Sequence, residues 1–402
     1  MSSSKRKKQA PSAVATSVEP QHTPTASVVK IIEEAPISPI RKKNKQGTFA
    51  SAKGADAIVK DSILKPPNES GAKAFLTGHN WPSGLQDALV KSCRKIAIRY
   101  IITDDSGSMM TNDGHRLIGI GTKNAKMIQC TRWSELTSSL KFHAQLAHAA
   151  QAPTEFRLLN HCDPIMVGLA DDTEGKSLEE AVTIFEEESP AGQTPLCHHI
   201  HEVIECIKLQ EEELRATGRK ACVVIATDGE STDGNLVDAM RPLQNLPVWV
   251  VVRLCTDEDH VVEYWNGIDS ELELEMDVLD DLSGEAKEVT AANSWLTYGD
   301  PLHKLREFGA SIKEMDLLDE TALSSEQMRV MCAILVANGE VRSLPHPDED
   351  WAAFVNTLKN RCTEAGPIWD PLTKMPKEWI NIKNLTQTYG GANVTSSACV
   401  IC

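Results

Sequence analysis

The run Ile-Ala-Ile-Arg-Tyr-Ile-Ile-Thr stops at Asp104-Asp105-Ser106-Gly107-Ser108, so a stretch of buried-strand character gives way to a D-x-S-x-S loop. An aspartate and two hydroxyls on alternate residues can turn three oxygens towards one point. Hard divalent ions such as Mg2+ take oxygen ligands in octahedral geometry. The chain offers two further oxygens: Thr194 in Gly192-Gln193-Thr194-Pro195, and Asp228 in Ala226-Thr227-Asp228-Gly229-Glu230, directly after the strand-like Ala221–Ile225. Each segment also has an ordinary reading. D-x-S-x-S can close Asx-turns, Thr194 can cap a helix with Pro195 at its first position, and Asp228-Gly229 can be a turn. Order and context favour a shared site: strand then D-x-S-x-S, a Gly-Gln-Thr-Pro loop opening a helix, then a second strand ending in Thr-Asp-Gly.

Such loops need a scaffold that brings strand ends together. From about residue 85 strands and helices alternate, which predicts a parallel sheet with helices on both faces. Ser134 to Ala150 is an amphipathic helix with Leu136, Leu140, His143 and Ala147 on one stripe. Glu155–Asn160 and Pro164–Gly168 read as an edge hairpin, and Leu178–Glu188 as a helix leading to the Thr194 loop. The next helix carries Ile200, Val203, Ile204 and Ile207 at i, i+3, i+4 and i+7. Strands at Ala221–Ile225 and Val248–Leu254 flank a helix around Leu236–Arg241, and the alternation from Leu272 to Val278 predicts a half-buried strand with an acidic outer face. In such sheets the carboxyl ends of the strands form the ligand crevice, where Asp104 and Asp228 both fall. Beyond residue 290 the pattern turns helical, with Asp300-Pro301, a capping box from Ser324 to Gln327, and Asp348–Leu358.

The three loop segments together resemble the metal-ion-dependent adhesion site of von Willebrand factor A (vWA) domains. The resemblance spans roughly residues 85–290, about half of the chain. It implies a doubly wound, mostly parallel, Rossmann-like α/β sheet and a Mg2+ or Mn2+ ion. Ser106, Ser108 and Thr194 would be hydroxyl ligands, with Asp104 and Asp228 binding directly or through water. One coordination position would stay open for an acidic side chain of a protein partner. The function it implies is metal-dependent protein binding in an intracellular, stand-alone vWA protein. An open position on a hard cation can also serve Lewis-acid catalysis, so a metal-dependent hydrolase or phosphatase is the alternative. Specific residues weigh against that alternative. A D-x-D phosphatase needs a carboxylate where Ser106 stands, Gly119–Lys123 lacks P-loop spacing, and no G-x-S-x-G elbow surrounds Ser106 or Ser108. No catalytic residue is therefore named, and no enzyme is expected.

Charge divides unevenly. Residues 1–65 carry 12 Lys/Arg against 5 Asp/Glu, whereas the remainder carries 29 against 52, and the whole chain has a net charge of -16. An acidic body disfavours nucleic acid as a ligand. Residues 1–75, rich in Ser, Thr, Pro, Ala and Lys, read as a disordered basic tail, 291–380 as a helical extension and 381–402 as a flexible tail. The clusters Lys5–Lys8 and Arg41–Lys45 suit a nuclear address, an anionic lipid surface or plain solvation. The opening residues lack a secretory signal, and the 11 cysteines show no disulfide framework, so a cytoplasmic, membrane-associated or nuclear location is expected. Cys197, His198, His199 and His201 are ligand types for a transition metal, but a helix start explains them better. The ending Cys399-Val400-Ile401-Cys402 has the C-a-a-X form, which makes Cys399 a prenylation candidate with weak membrane association, although the final cysteine is outside the usual choices.

Overall fold

Strand β1 (Ile96–Thr103) is buried along its whole length, because its β-branched and aromatic residues feed two cores at once. The computed structural model describes residues 59–119, 125–161, 163–256 and 258–390. Beside β1 lie β4 (Thr154–Leu158) on one edge and β6 (Lys220–Thr227) on the other, both parallel to it. Outward from these come β5 (Ile165–Val167), antiparallel, and then β7 (Val248–Leu254) and β8 (Met276–Leu279), both parallel. The sheet order β5-β4-β1-β6-β7-β8 reverses direction at β1, so the crevice of a doubly wound sheet falls at the carboxyl ends of β1 and β6. This is the expected fold class, including the antiparallel edge hairpin.

Side-chain alternation assigns the two faces. Ile98, Tyr100 and Ile102 of β1, with Val223 and Ile225 of β6 and Val250 and Val252 of β7, pack against Ile200, Val203, Ile204 and Ile207 of the helix Leu196–Thr217. Ile101, Cys222, Val224, Trp249 and Val251 face the helix Arg132–Ala150 and the C-terminal helices. With both faces covered, these strands can be apolar throughout. Burying each such side chain contributes roughly 1.5–3 kcal/mol.

Several boundaries differ from the sequence reading. Within the span expected to be a tail, residues 59–64 are helical and Glu69–Gly78 forms a helix. Ile63, Ala72 and Leu76 are buried, Asn68 caps the helix through the Gly71 amide, and the Asn68 amide donates to Ala150. Composition averaged over a long polar stretch hides three apolar residues and one cap. Residues 1–58 and 391–402, and with them both basic clusters and Cys399, lie outside the described residues. The helix Asp259–Glu271 ends immediately before the span expected for the last strand, Leu272–Val278, but β8 begins only at Met276. A hairpin of β2 (Gly114–Ile118) and β3 (Lys126–Cys130) follows the D-x-S-x-S loop. At the other end β9 (Pro367–Asp370) and β10 (Met375–Glu378) interrupt the helical extension. The span expected as a flexible tail starts with an Asn381-capped helix, Ile382–Tyr389, that buries Leu385. The capping box at Ser324 and Gln327 is present.

Buried charge ties the helix Asp300–Glu307 to the sheet. Arg253 of β7 donates to Glu307 at 3.1 Å and to Glu135, and His143 meets the other Glu307 oxygen at 3.0 Å. Arg306 reaches Glu285 at 2.6 Å, Asp277 at 2.9 Å and Asp319 at 3.0 Å. Near this cluster burial, with help from Asp277, pushes the Asp316 carboxyl up to about 7. Its folded pKa thus exceeds its unfolded one. The stability it contributes is present in full below about pH 4 and is lost as pH rises to about 7. Asp316→Asn should therefore match the wild type near pH 4 and exceed it above pH 7. A margin of about 1 kcal/mol in urea unfolding is expected for a partly solvated carboxyl. Equal stability of the two proteins at high pH would contradict this.

Candidate metal centre

The ladder between β1 and β6 runs one residue past the strands, where the Asp104 amide donates to Ala226 O at 2.8 Å. Asp104 is consequently fully buried at the sheet's carboxyl end. Its Oδ1 accepts the Ser106 amide at 2.8 Å and its Oδ2 accepts the Thr227 hydroxyl at 2.7 Å. Burial pushes this carboxyl up, against the pull of those hydrogen bonds. After Ser106 the chain makes a 3-10 turn, Gly107–Met110, and Ser106 Oγ comes to lie 3.0 Å from Ser108 Oγ. Ser108 Oγ donates in turn to Asp228 Oδ1 at 2.8 Å.

That spacing bears directly on metal binding. An octahedral ion with metal–oxygen bonds of about 2.1 Å sets neighbouring ligand oxygens about 3.0 Å apart. The hydrogen bonds Ser106–Ser108, at 3.0 Å, and Ser108–Asp228, at 2.8 Å, have lengths close to that spacing. The residues fit a small hard cation.

Thr194 reaches the same end of the sheet through its loop. The Ala191 amide donates to Asp105 O at 2.8 Å, the Gly107 amide lies 3.4 Å from Gly192 O, and Asn160 Nδ2 donates to Gln193 O at 3.0 Å. Asn160 in turn gives its amide and its Nδ2 to Asp105 Oδ1. Gly192 has φ +99°, and a Cβ there would stand 2.5 Å from Asn160 Oδ1, so only glycine fits this loop. Thr194 is 8 % exposed, with its amide on Thr232 Oγ1 and its carbonyl accepting the Thr232 amide. The helix that follows is capped from a distance. Asp233 accepts the Cys197 amide at 3.0 Å and the His198 amide at 2.9 Å. Burial raises the Asp233 carboxyl, but hydrogen bonds from Ser231 and these amides outweigh it and leave it below its ordinary value.

A residue the sequence reading passed over completes the electrostatics. Arg132, 5 % exposed, donates through Nη1 to Asp228 Oδ2 at 3.0 Å, through Nε and Nη2 to Asp113, and through Nη2 to Glu258 at 2.8 Å. Its bonds hold the Asp113 and Glu258 carboxyls below their usual range. Three carboxylates, Asp228, Asp113 and Glu258, thus surround one guanidinium, an excess of negative charge suited to a divalent cation. The sequence reading starts this helix at Ser134, whereas Thr131 caps it and places Arg132 in its first turn. The ion pair across 96 residues left no signal in the sequence pattern.

The other ligand types do not assemble. Cys197 is buried, His201 is exposed, and His199 Nε2–H donates to Leu159 O. Among the described residues, the side chains of the His, Cys, Asp and Glu types that converge in a group of three are Glu285, Glu288 and Asp319, next to Arg306. His143 is a packed histidine, with a pKa lowered by burial despite its Glu307 partner.

Among the described residues, no helix is long and apolar enough to cross a membrane. No family model and no curated protein matches the chain. Two solved structures align with it: the conserved hypothetical protein BatB from Bacteroides thetaiotaomicron, at 17% identity, and an aerotolerance-related membrane protein from Bacteroides fragilis, at 18%. Each alignment covers 39% of this chain, and 65% and 66% of those chains, at a TM-score of 0.27. The chain therefore spans just under two thirds of their length. At that level of superposition they add nothing to what the strand order already shows, a doubly wound and mostly parallel α/β sheet.

Proposed function

We propose that this chain is a vWA-type protein that binds a protein partner through Mg2+ or Mn2+. Asp104, Ser106, Ser108, Thr194 and Asp228 hold the ion, and an acidic side chain of the partner completes its coordination. The row of oxygens from Ser106 through Ser108 to Asp228, at spacings close to the edge of such an octahedron, carries this reading. Exposure agrees with it, because Ser108 is open to solvent while Asp104 and Ser106 are buried beneath it. An incoming carboxylate therefore approaches from the Ser108 side. The role is binding and not turnover: both serine hydroxyls lie against oxygens of the row itself, which suits ligation more than attack on a substrate. The cysteines of the described residues are all free, which fits a reducing, intracellular compartment.

Calorimetric titration of the full chain with Mn2+, after treatment with a chelator, tests the reading. One saturable site is expected, and acetate, standing for the partner's carboxylate, should tighten it by replacing a metal-bound water. Absence of saturable binding at millimolar Mn2+ would overturn the assignment. Metal binding that acetate leaves untouched would remove the adhesion role.

A further inference from the structure

We propose that Arg132 is a metal-selectivity residue. By holding Asp228 Oδ2 it leaves that carboxylate a single oxygen for an ion, which favours six-coordinate Mg2+ or Mn2+ over Ca2+. The inference rests on the metal-site reading above and adds to it a restraint on Asp228 that comes from outside the five ligands.

Ca2+ takes six to eight oxygens at about 2.3–2.6 Å and often draws both oxygens of a carboxylate, whereas Mg2+ requires an octahedron at about 2.0–2.1 Å. A carboxylate that cannot turn both oxygens inward is therefore a poor Ca2+ ligand and an adequate Mg2+ ligand. Asp228 is held in that way. Its Oδ1 lies on the Ser108 side and its Oδ2 accepts from Arg132 Nη1. Asp104 is pinned at both oxygens too, by the Ser106 amide and the Thr227 hydroxyl.

Arg132 itself cannot easily move aside. Its Nε and Nη2 grip the two oxygens of Asp113 at 2.9 and 2.6 Å, and Nη2 also reaches Glu258. A planar guanidinium fixed at both ends of its fork presents Nη1 in one direction only. Its backbone amide is anchored as well, on Thr111 O at 3.0 Å. Asp113 and Glu258 balance its charge, so Arg132 occupies one oxygen of Asp228 without cancelling the negative field that draws the ion.

The test is competition of Mg2+ and Ca2+ against Mn2+ on the full chain, comparing the wild type with Arg132→Met and Arg132→Lys. The wild type should prefer Mg2+. In both variants the Mg2+-to-Ca2+ affinity ratio should fall about tenfold as Asp228 Oδ2 becomes free. Lysine keeps the charge but not the fork, so a fall shared by both variants marks the released oxygen and not the lost charge. A ratio unchanged in both, or a rise for both ions confined to the Met variant, would overturn the proposal. Should Arg132→Met fail to fold, as read by circular dichroism, Arg132→Lys decides alone. A wild type that binds both ions without preference defeats this inference and leaves the metal site standing, whereas one that binds neither defeats both.

Discussion

Arg306→Met is expected to lower the free energy of unfolding by about 3–5 kcal/mol, the range for removing one partner of a buried ion pair. The guanidinium is 1 % exposed and is shared by Glu285, Asp277 and Asp319, whose side chains are 1, 10 and 13 % exposed. Methionine fills much of the volume but leaves three carboxylates facing one another in a poorly solvated site. Burial already pushes Glu285 up to about 7 with Arg306 in place. Without Arg306 these groups relieve their repulsion by taking up protons, which they do more readily at low pH. The deficit should consequently be largest near pH 8 and shrink towards pH 5. Urea unfolding at the two pH values measures it, and a loss below about 1 kcal/mol at pH 8 would show that the cluster is not held by Arg306.

Asp104→Asn should separate stability from function. The amide keeps the shape of the side chain and can still accept from the Ser106 amide, while the buried negative charge disappears. Burial penalises that charge, as the raised pKa of Asp104 shows. In metal-free buffer the variant should therefore be at least as stable as the wild type. Its Mg2+ affinity should fall by about 100-fold, close to 2.7 kcal/mol, because a neutral oxygen replaces a charged ligand. Thermal melts with and without Mg2+ read both effects together: the wild-type midpoint should rise with the ion and the variant's should not. Equal rises would mean that the ion binds somewhere other than at Asp104.

Most of the sheet was legible because buried parallel strands advertise themselves as unbroken apolar runs. β1, β6 and β7 are of that type, and the loops at their ends followed from them. Asp104 and Asp228 lie at adjacent strand ends, so chain order alone was enough to pair them. What stayed hidden depends on contacts rather than pattern. Arg132 meets Asp228 only once the 132–150 helix is laid across the sheet. The helix Glu69–Gly78 owes its place to Ala72 and Leu76, too few apolar residues to stand out against a polar stretch. Leu272 and Leu274 kept the alternation of a strand, yet the preceding helix runs to Glu271 and pairing with β7 starts only at Met276. Periodicity cannot separate the two outcomes over so short a span.

The central position of β1 has a consequence for synthesis on the ribosome. Its Ile-rich edge towards β6 finds its partner only when residues 220–227 have emerged, more than a hundred residues after Thr103. At cellular elongation rates that edge waits on the order of 10 s with its amides and carbonyls unpaired. The β4 edge closes sooner, once Thr154–Leu158 are made. During the interval the nascent chain carries a half-built sheet of the kind that chaperones shield and that pairs with neighbouring chains when they do not. Ribosome profiling of chaperone-bound nascent chains should show occupancy rising after β1 leaves the exit tunnel and falling once β6 has followed it.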